Sequence, residues 1–304
     1  QRRDVADIVY DSRKVQKNSI FVAIKGYKTD GHKFLQDAIN KGAVAVVVEV
    51  EDSIPDEFVA HSQIAKIVVK DSRKALAELS KVFYKGPTNK LKLIGITGTN
   101  GKTTSTFILK NILQNAGYKT GLVGTIANYA GDVKVDSKLT TPESNELNRL
   151  FYDMIQAGCS YSVMEVSSHS LVLNRVYGLD FTAAIFSNIT SDHLDFHNTF
   201  EAYLNAKKML FDGLGLNSFA IINSDDSSSQ KMVQDSKAKI VSYGIADNSD
   251  YQIKNIVYDL NGTDFTITNN NIEYKIHTSL IGTFNAYNAT SAFATAHSLG
   301  INAQ

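Results

Sequence analysis

Ile94-Gly95-Ile96-Thr97-Gly98-Thr99-Asn100-Gly101-Lys102-Thr103-Thr104 is the stretch whose reading decides the fold. Leu91 to Thr97 reads as a buried strand, Gly98 to Gly101 as a tight loop, and Lys102 onward as a helix. Strand, glycine loop, Lys-Thr and helix together make a phosphate cradle. Glycines let backbone N–H groups turn toward phosphate oxygens, and the helix N-terminus adds its positive dipole end. In such a loop the lysine reaches the β/γ-phosphates and a threonine hydroxyl holds Mg²⁺. The plain alternative is a glycine turn entering an ordinary helix; a strand before and a helix after favour the cradle. The usual G-x-x-x-x-G-K-[ST] spacing requires glycine at 96, where this chain has Ile96; its glycines fall at 95 and 98, so the loop is a variant.

Outward from this loop the pattern alternates. Lys102 to Asn115 is a helix ended by Gly117, and Lys119 to Gly124 a strand. Thr141-Pro142 reads as a helix start, threonine as N-cap and proline in the first turn, running to Gly158. Tyr161 to Val166, Ala183 to Phe186 and Phe219 to Ile222 are further buried strands. The alternation predicts a mostly parallel sheet covered on both faces. Tyr251 to Leu260, Asp264 to Thr268 and Ile272 to Leu280 predict a small antiparallel flap, and a last helix spans Ala286 to Leu299. Toward the start, Ser19 to Ile24, Ala43 to Val48 and Ile64 to Val69 are strands, with helices at His32 to Lys41 and Ser72 to Tyr84. Gly86-Pro87-Thr88-Asn89 breaks the pattern, which divides an α/β chain into a small domain, 1–88, and a larger phosphate-loop domain, 89–304.

With 304 residues, 43% of them apolar, the chain has material for two cores. Basic and acidic residues balance at 31 each without a long single-sign block, which disfavours nucleic-acid binding. The lone Cys159 forbids an internal disulfide and fits a reducing cytoplasm. No apolar run reaches membrane-spanning length and no signal peptide opens the chain. The chain begins at Gln1, mid-strand by this reading, and is expected to be a fragment at that end.

Several side chains fall where ligands bind in such sheets, at the carboxyl ends of strands. Glu165 closes the apolar strand Val163-Met164-Glu165-Val166, just before Ser167-Ser168-His169, and is placed for Mg²⁺. Ser187 to Asp195 follows the next strand; there His193 could ligate a metal or touch a γ-phosphate, with Asp192 and Asp195 orienting it. On a helix from Thr199 to Asp212, Lys207 lies at the centre of an apolar face made by Phe200, Tyr203, Leu204 and Phe211, while Lys208 reads as an ordinary surface lysine. A buried ammonium needs a partner or a changed charge; otherwise the side chain snorkels to water. Asp11-Ser12-Arg13 and Gly26 to Gly31 are polar loops that turn chemistry explains as well as ligand binding does. Asn285 reads as a helix cap or a reader of a base edge.

In order along the chain, these segments resemble the Mur ligase family. They are Asp-Ser-Arg (11–13), Gly-Tyr-Lys-Thr-Asp-Gly (26–31), Thr-Gly-Thr-Asn-Gly-Lys-Thr-Thr (97–104), Thr-Thr-Pro (140–142), Met-Glu-Val-Ser-Ser-His (164–169), Asn-Ile-Thr-Ser-Asp-His-Leu-Asp (188–195), Asn-Ala-Lys (205–207) and Phe-Asn-Ala-Tyr-Asn (284–288). The glycine loop alone specifies the superfamily, which includes folylpolyglutamate synthases. The Asp-Ser-Arg domain and the Ser-Ser-His segment resemble the branch that makes UDP-N-acetylmuramoyl-tripeptides. That resemblance implies a uridine-diphosphate pocket lined by Ser12, Tyr27, Lys28 and Thr29, and a muramoyl-dipeptide held by Thr140, Thr141, Ser167 and Arg175. It implies ATP on Gly98, Thr99, Asn100, Gly101, Lys102, Thr103 and Thr104, with Asn285 and Asn288 reading adenine. One Mg²⁺ falls to Thr103 and Glu165, a second to His193 and a carbamylated Lys207. Leu173 stands where some members carry a substrate-contacting glutamine.

The implied reaction activates the D-Glu carboxylate of UDP-MurNAc-L-Ala-D-Glu as an acyl phosphate. The amine of a diamino acid, lysine or meso-diaminopimelate, then displaces phosphate. Lys102, Glu165, His193 and Lys207 are the expected catalytic set. A third, amino-acid-binding domain is expected beyond Gln304, and the protein is expected to be monomeric and cytoplasmic. The alternatives are a folylpolyglutamate synthase-like ligase and a non-catalytic nucleotide-binding module; for a plain P-loop kinase the glycine spacing is wrong.

Overall fold

The computed structural model describes residues 4–26, 29–192 and 194–303. It divides into two compact units: Gln1–Gly86 with Glu143–Arg149 and Leu173–Gly178, and Pro87–Pro142 with Leu150–Val172 and Leu179–Gln304. The division is not a single cut in the sequence, because two short segments from beyond residue 140 pack with the first unit.

The first unit is a parallel four-stranded sheet in sequence order: β1 (Asp7–Val9), β2 (Ser19–Val22), β3 (Ala45–Val48) and β4 (Ala65–Val68). Every residue of β3, Ala-Val-Val-Val, is buried, as parallel strands covered on both faces require. Val46 and Val48 meet α1 (Leu35–Asn40) through Leu35 and Ile39, on the face that α2 (Asp56–His61) also covers through Val59. Val47 shares the other face with Leu76 of α3 (Ser72–Phe83). Asp71 caps α3 by accepting from Lys74 N at 3.0 Å. The helix expected from His32 opens as a 3₁₀ turn, Gly31–Phe34, and becomes α-helical only at Leu35.

The second unit is built on an eleven-stranded sheet. In chain order the elements now run β5 (Lys92–Thr97), α4 (Lys102–Asn115), β6 (Thr120–Val123), β7 (Asn128–Ala130), β8 (Val133–Val135), α5 (Ser144–Gln156, of which the part up to Arg149 groups with the first unit), β9 (Tyr161–Glu165), α6 (Ser168–Val172) and β10 (Phe181–Phe186). They continue as α7 (Leu194–His197), α8 (Phe200–Asp212), β11 (Phe219–Asn223), α9 (Ser229–Val233), β12 (Lys239–Gly244), β13 (Tyr251–Asp259), β14 (Gly262–Asn269), β15 (Ile272–Thr278) and α10 (Thr283–Ser298). Strand order is β15-β14-β13-β12-β11-β10-β5-β9-β6-β7-β8. From β5 the chain moves to β6, returns to insert β9 between them, then crosses to the other side of β5 for β10, β11 and β12. The order therefore reverses at β5, and the loops leaving β5 and β10 meet at the carboxyl edge, where crevices open in doubly wound sheets.

Ile94, Ile96, Val163, Ile185 and Ile221 form the core with Leu109 and Leu113 of α4 and the alanine-rich α10. The expected antiparallel strands are present, and they extend the main sheet. β13 pairs in parallel with β12 at Tyr243↔Tyr251, and β14 and β15 extend the same sheet antiparallel. Among the described residues no helix is long and apolar enough to cross a membrane.

Candidate functional site

β5 ends at Thr97, and the loop that follows is wedged between the end of β10 and α10. Gly98 has φ 150° and Gly101 has φ 88°. A Cβ at 98 would lie 2.0 Å from Ser187 Oγ, and one at 101 would lie 2.4 Å from Asn288 Oδ1. Both glycines are thus required by conformation and by space. The segment after β10 clamps the loop: Thr99 N donates to Asn188 O at 2.8 Å, and Asn100 N to Asn188 Oδ1 at 3.0 Å. Ser187 Oγ donates to Asn100 O at 2.6 Å.

Lys102 opens α4, and its Nζ folds back to donate to Gly98 O and Thr99 O, both at 2.9 Å. Burial pushes its pKa down, against the pull of Glu165 and Asp192. Glu165 ends β9 only 1% exposed. Its carboxylate accepts from Thr103 Oγ1 at 2.9 Å, Thr125 N at 2.9 Å and Thr125 Oγ1 at 3.1 Å. All three donors are neutral, and among the described residues no cation forms an ion pair with it. Thr99 to Thr104, Thr140, Glu165, Ser167, Ser168 and Lys207 line one cleft of about 320 Å³.

Lys207 does not snorkel. It is 1% exposed, its Nζ donates to Gly98 O at 2.8 Å, and it sits 4.4 Å from the Tyr203 ring centroid. Burial first, and the charge of Lys102 second, push its pKa down to about 7, with Asp192 opposing. Lys208, expected as an ordinary surface lysine, is instead 9% exposed and pairs with Asp212 at 2.6 Å and Asp235 at 2.5 Å. The correction comes from Asp235, which lies 27 positions away beyond α9 and is invisible to helical periodicity. The helix expected from Thr199 begins at Phe200, and Thr199 caps it by accepting from Ala202 N at 3.1 Å.

Thr141 is not a helix cap; α5 begins at Ser144. Thr141 is fully buried, with Oγ1 donating to Glu165 O at 2.9 Å and accepting from Ser167 N at 3.2 Å. It therefore fixes the end of β9 rather than facing the cleft, whereas Thr140 and Ser167 do line it. Asn285 is not a cap either: Gly282 precedes α10, and Asn285 Nδ2 donates to Ile281 O at 3.0 Å while Oδ1 accepts from Asn288 Nδ2 at 3.2 Å. Asn288 lines a second cleft of about 560 Å³ with Asn188, Tyr243, Phe284 and Tyr287, adjoining the first at Asn100 and Gly101.

The first unit has its own cleft of about 580 Å³, lined by Ser12, Arg13, Thr29, Phe34, Arg73 and Glu143 among others. Asp11 accepts from Arg13 Nε at 2.9 Å and Nη2 at 2.8 Å, which lowers its pKa to about 2. Arg175 belongs to this unit and binds Glu143 at 2.9 Å, opposite Arg73 at 3.2 Å. Tyr27, Lys28 and His193 lie outside the described residues. Sequence reasoning missed Thr125 and Tyr203. Thr125 follows a strand at the same carboxyl edge, and Tyr203 stands four places before Lys207 on the face already noted, so both carried a signal.

A glycine loop at the reversal point of a doubly wound sheet, with a lysine and a carboxylate–hydroxyl pair beside it, defines a phosphate-binding α/β class. Residues 4–84 match the Mur ligase family catalytic domain and residues 96–296 the Mur ligase middle domain. The chain belongs to the Mur ligase family. It is 47% identical over 299 residues to the UDP-N-acetylmuramoyl-L-alanyl-D-glutamate–2,6-diaminopimelate ligase of Clostridium tetani, covering 98% of this chain and 60% of that protein. A solved structure of a ligase of the same name superposes with TM-score 0.85 at 28% identity, over 99% of this chain and 61% of that one. The folylpolyglutamate synthase of Mycobacterium tuberculosis, solved with ADP and AMPPCP, shares the fold at TM-score 0.61 and 15% identity, over 75% of this chain and 59% of that one. The chain thus spans about 60% of the length of the curated relatives it matches.

Proposed function

We propose that this protein is an ATP-dependent amide ligase that activates the D-Glu carboxylate of UDP-MurNAc-L-Ala-D-Glu and joins it to a diamino acid, 2,6-diaminopimelate. The observation that carries this is one cleft holding Lys102, Lys207, Thr103 and Glu165 around a glycine loop. In it the triphosphate lies along Gly98–Thr104; the N–H groups of Thr99 and Asn100 are taken by Asn188, and it is the N-terminal end of α4, from Gly101 on, that favours the anion. The nucleoside occupies the adjoining cleft against Asn288; Asn285 orients that side chain through its own amide. Lys102 leaves its two loop carbonyls to meet the β/γ-phosphates.

The fit to Mg²⁺ rests on Glu165, a buried carboxylate served by neutral donors with a hydroxyl alongside. Among the described residues no three His, Cys, Asp or Glu side chains cluster. Few protein ligands, all oxygen, with phosphate and water completing the shell, is how Mg²⁺ is usually held. Thr103 and Glu165 would hold it, and it would neutralise charge on the transferring phosphoryl group. Lys207, with its pKa near 7, has neutral amine available at physiological pH. Addition of that amine to CO₂ with release of a proton would form a carbamate, replacing a cation with an anionic oxygen donor. With His193 it would serve a second Mg²⁺. In the first unit, the cleft bearing Ser12 and Thr29 takes the uridine diphosphate; in the second, Thr140 and Ser167 are left to meet the muramoyl-dipeptide.

Calorimetric titration tests this assignment. Lys102→Ala should weaken ATP binding at least 100-fold while leaving UDP-MurNAc-L-Ala-D-Glu binding within twofold of wild type, because the two clefts belong to different units. Equal loss of both, or binding of a folate in place of the UDP-sugar, would reject it.

A further inference from the structure

His197 is a buried histidine to which the reaction above gives no task; it is 6% exposed. Its ring is enclosed by Phe196 at 4.7 Å, Tyr203 at 5.1 Å and His169 at 5.7 Å between centroids. Three rings packed around it fix the imidazole plane, so its Nε2 has a defined direction. That direction is the hydroxyl of Ser168, 2.9 Å away. Ser168, itself 2% exposed, opens α6 and lines the phosphate cleft with Lys102 and Lys207. Two polarities are open to this contact. If Ser168 donates, its oxygen presents lone pairs to the cleft, the wrong charge for a triphosphate. If the imidazole donates, the serine proton is left over for an acceptor in the cleft.

We propose that His197 is a positioning residue that donates its Nε2–H to Ser168 Oγ and thereby turns the serine's own proton onto the terminal phosphoryl group. The inference rests on the nucleotide reading of the cleft. It makes Ser168 a discriminator between a nucleoside triphosphate and a diphosphate. The rings of Phe196, Tyr203 and His169 hold the donor at a fixed angle.

Two measurements test it. Two-bond ¹H–¹⁵N correlation spectra of the full chain report which ring nitrogen carries the proton; Nε2–H is expected, and Nδ1–H with a bare Nε2 overturns the proposal. Calorimetry with a non-hydrolysable ATP analogue and with ADP reports the contact. Ser168→Ala should lose roughly 10- to 100-fold for the analogue, the range for one hydrogen bond to a charged group, with ADP within twofold of wild type. His197→Phe, which keeps an aromatic ring in the cage, should lose less, in the same direction. The double variant should be no worse than Ser168→Ala alone. Equal losses for analogue and ADP, or additive losses, overturn it. If His197→Phe fails to fold, the spectra and Ser168→Ala still decide. Wild-type chain that binds neither nucleotide would instead remove the nucleotide reading, and this inference with it.

Discussion

Lys207 and Lys208 are neighbours on one helix, yet their ammonium groups live in opposite regimes. Lys208 reaches two carboxylates at the rim, Asp212 and Asp235, and these hold its pKa above the ordinary lysine value despite the burial that opposes them. Lys207 reaches a backbone carbonyl and a tyrosine face, with a second lysine sharing that carbonyl, and its pKa falls to about 7. One rotation of about 100° along a helix separates a structural ion pair from a group poised to change its charge. The difference shows that burial alone does not assign a lysine a function; the identity of what it is buried against does.

The largest expected effect follows from removing the poised group. In ligase assays Lys207→Ala should lose on the order of 10²–10³-fold in turnover, with partial rescue by a short free carboxylic acid that fills the vacated space. No rescue, together with an unmodified ammonium at 207 in intact-mass data on active enzyme, would break the carbamate half of the contrast. Next in size is stability. The folded-state pKa of Lys207 lies below that of an unfolded lysine, so the ammonium's burial penalty is full below about pH 7 and shrinks as pH rises toward the unfolded value. Lys207→Met should therefore stabilise the nucleotide-free chain at pH 7 in CO₂-free buffer, by on the order of 1–3 kcal/mol once the lost Gly98 contact is subtracted. Urea midpoints at pH 7 and pH 9.5 should show the gap between variant and wild type closing at the higher pH; a gap that widens contradicts the assignment.

Lys208→Ala should cost about 1 kcal/mol, because its carboxylate partners are partly solvated, with activity within threefold of wild type. Addition of salt should reduce that cost. The smallest effect sharpens the Lys207 side. Tyr203→Phe keeps the ring beneath the ammonium and removes the 3.3 Å contact to Thr99 Oγ1, costing about 0.5 kcal/mol in thermal unfolding. A cost as large as that of Lys208→Ala would mean that the hydroxyl, not the ring, holds the helix to the loop.

The features legible in the sequence share one property: they are set by residues within a turn or two of each other. The strand–loop–helix at 92–115, the carboxylate at the end of β9 and the apolar face around Lys207 are all local patterns. What escaped depends on distant partners. Lys208 is made structural by Asp235, Thr141 is drawn from a helix start by the β9 carbonyl 24 positions on, and Glu143 is held by Arg73 and Arg175 from two other segments. β12 was missed for a different reason: its first residues are exposed and only Tyr243 and Gly244 are buried, too short a run to stand out. The antiparallel strands were legible as strands, but their union with the main sheet depends on two residues of pairing at Tyr243 and Gly244.

The peptide between Gly98 and Thr99 is held on both sides. Its carbonyl accepts from Lys102 and Lys207, and its N–H is given to Asn188 O. A plane gripped at both poles cannot flip, and its amide proton should be among the slowest in the loop to exchange with solvent. The loop therefore meets an incoming anion already ordered. The entropy that a free glycine segment would surrender on binding was given up when the chain folded, and affinity is not reduced by it a second time.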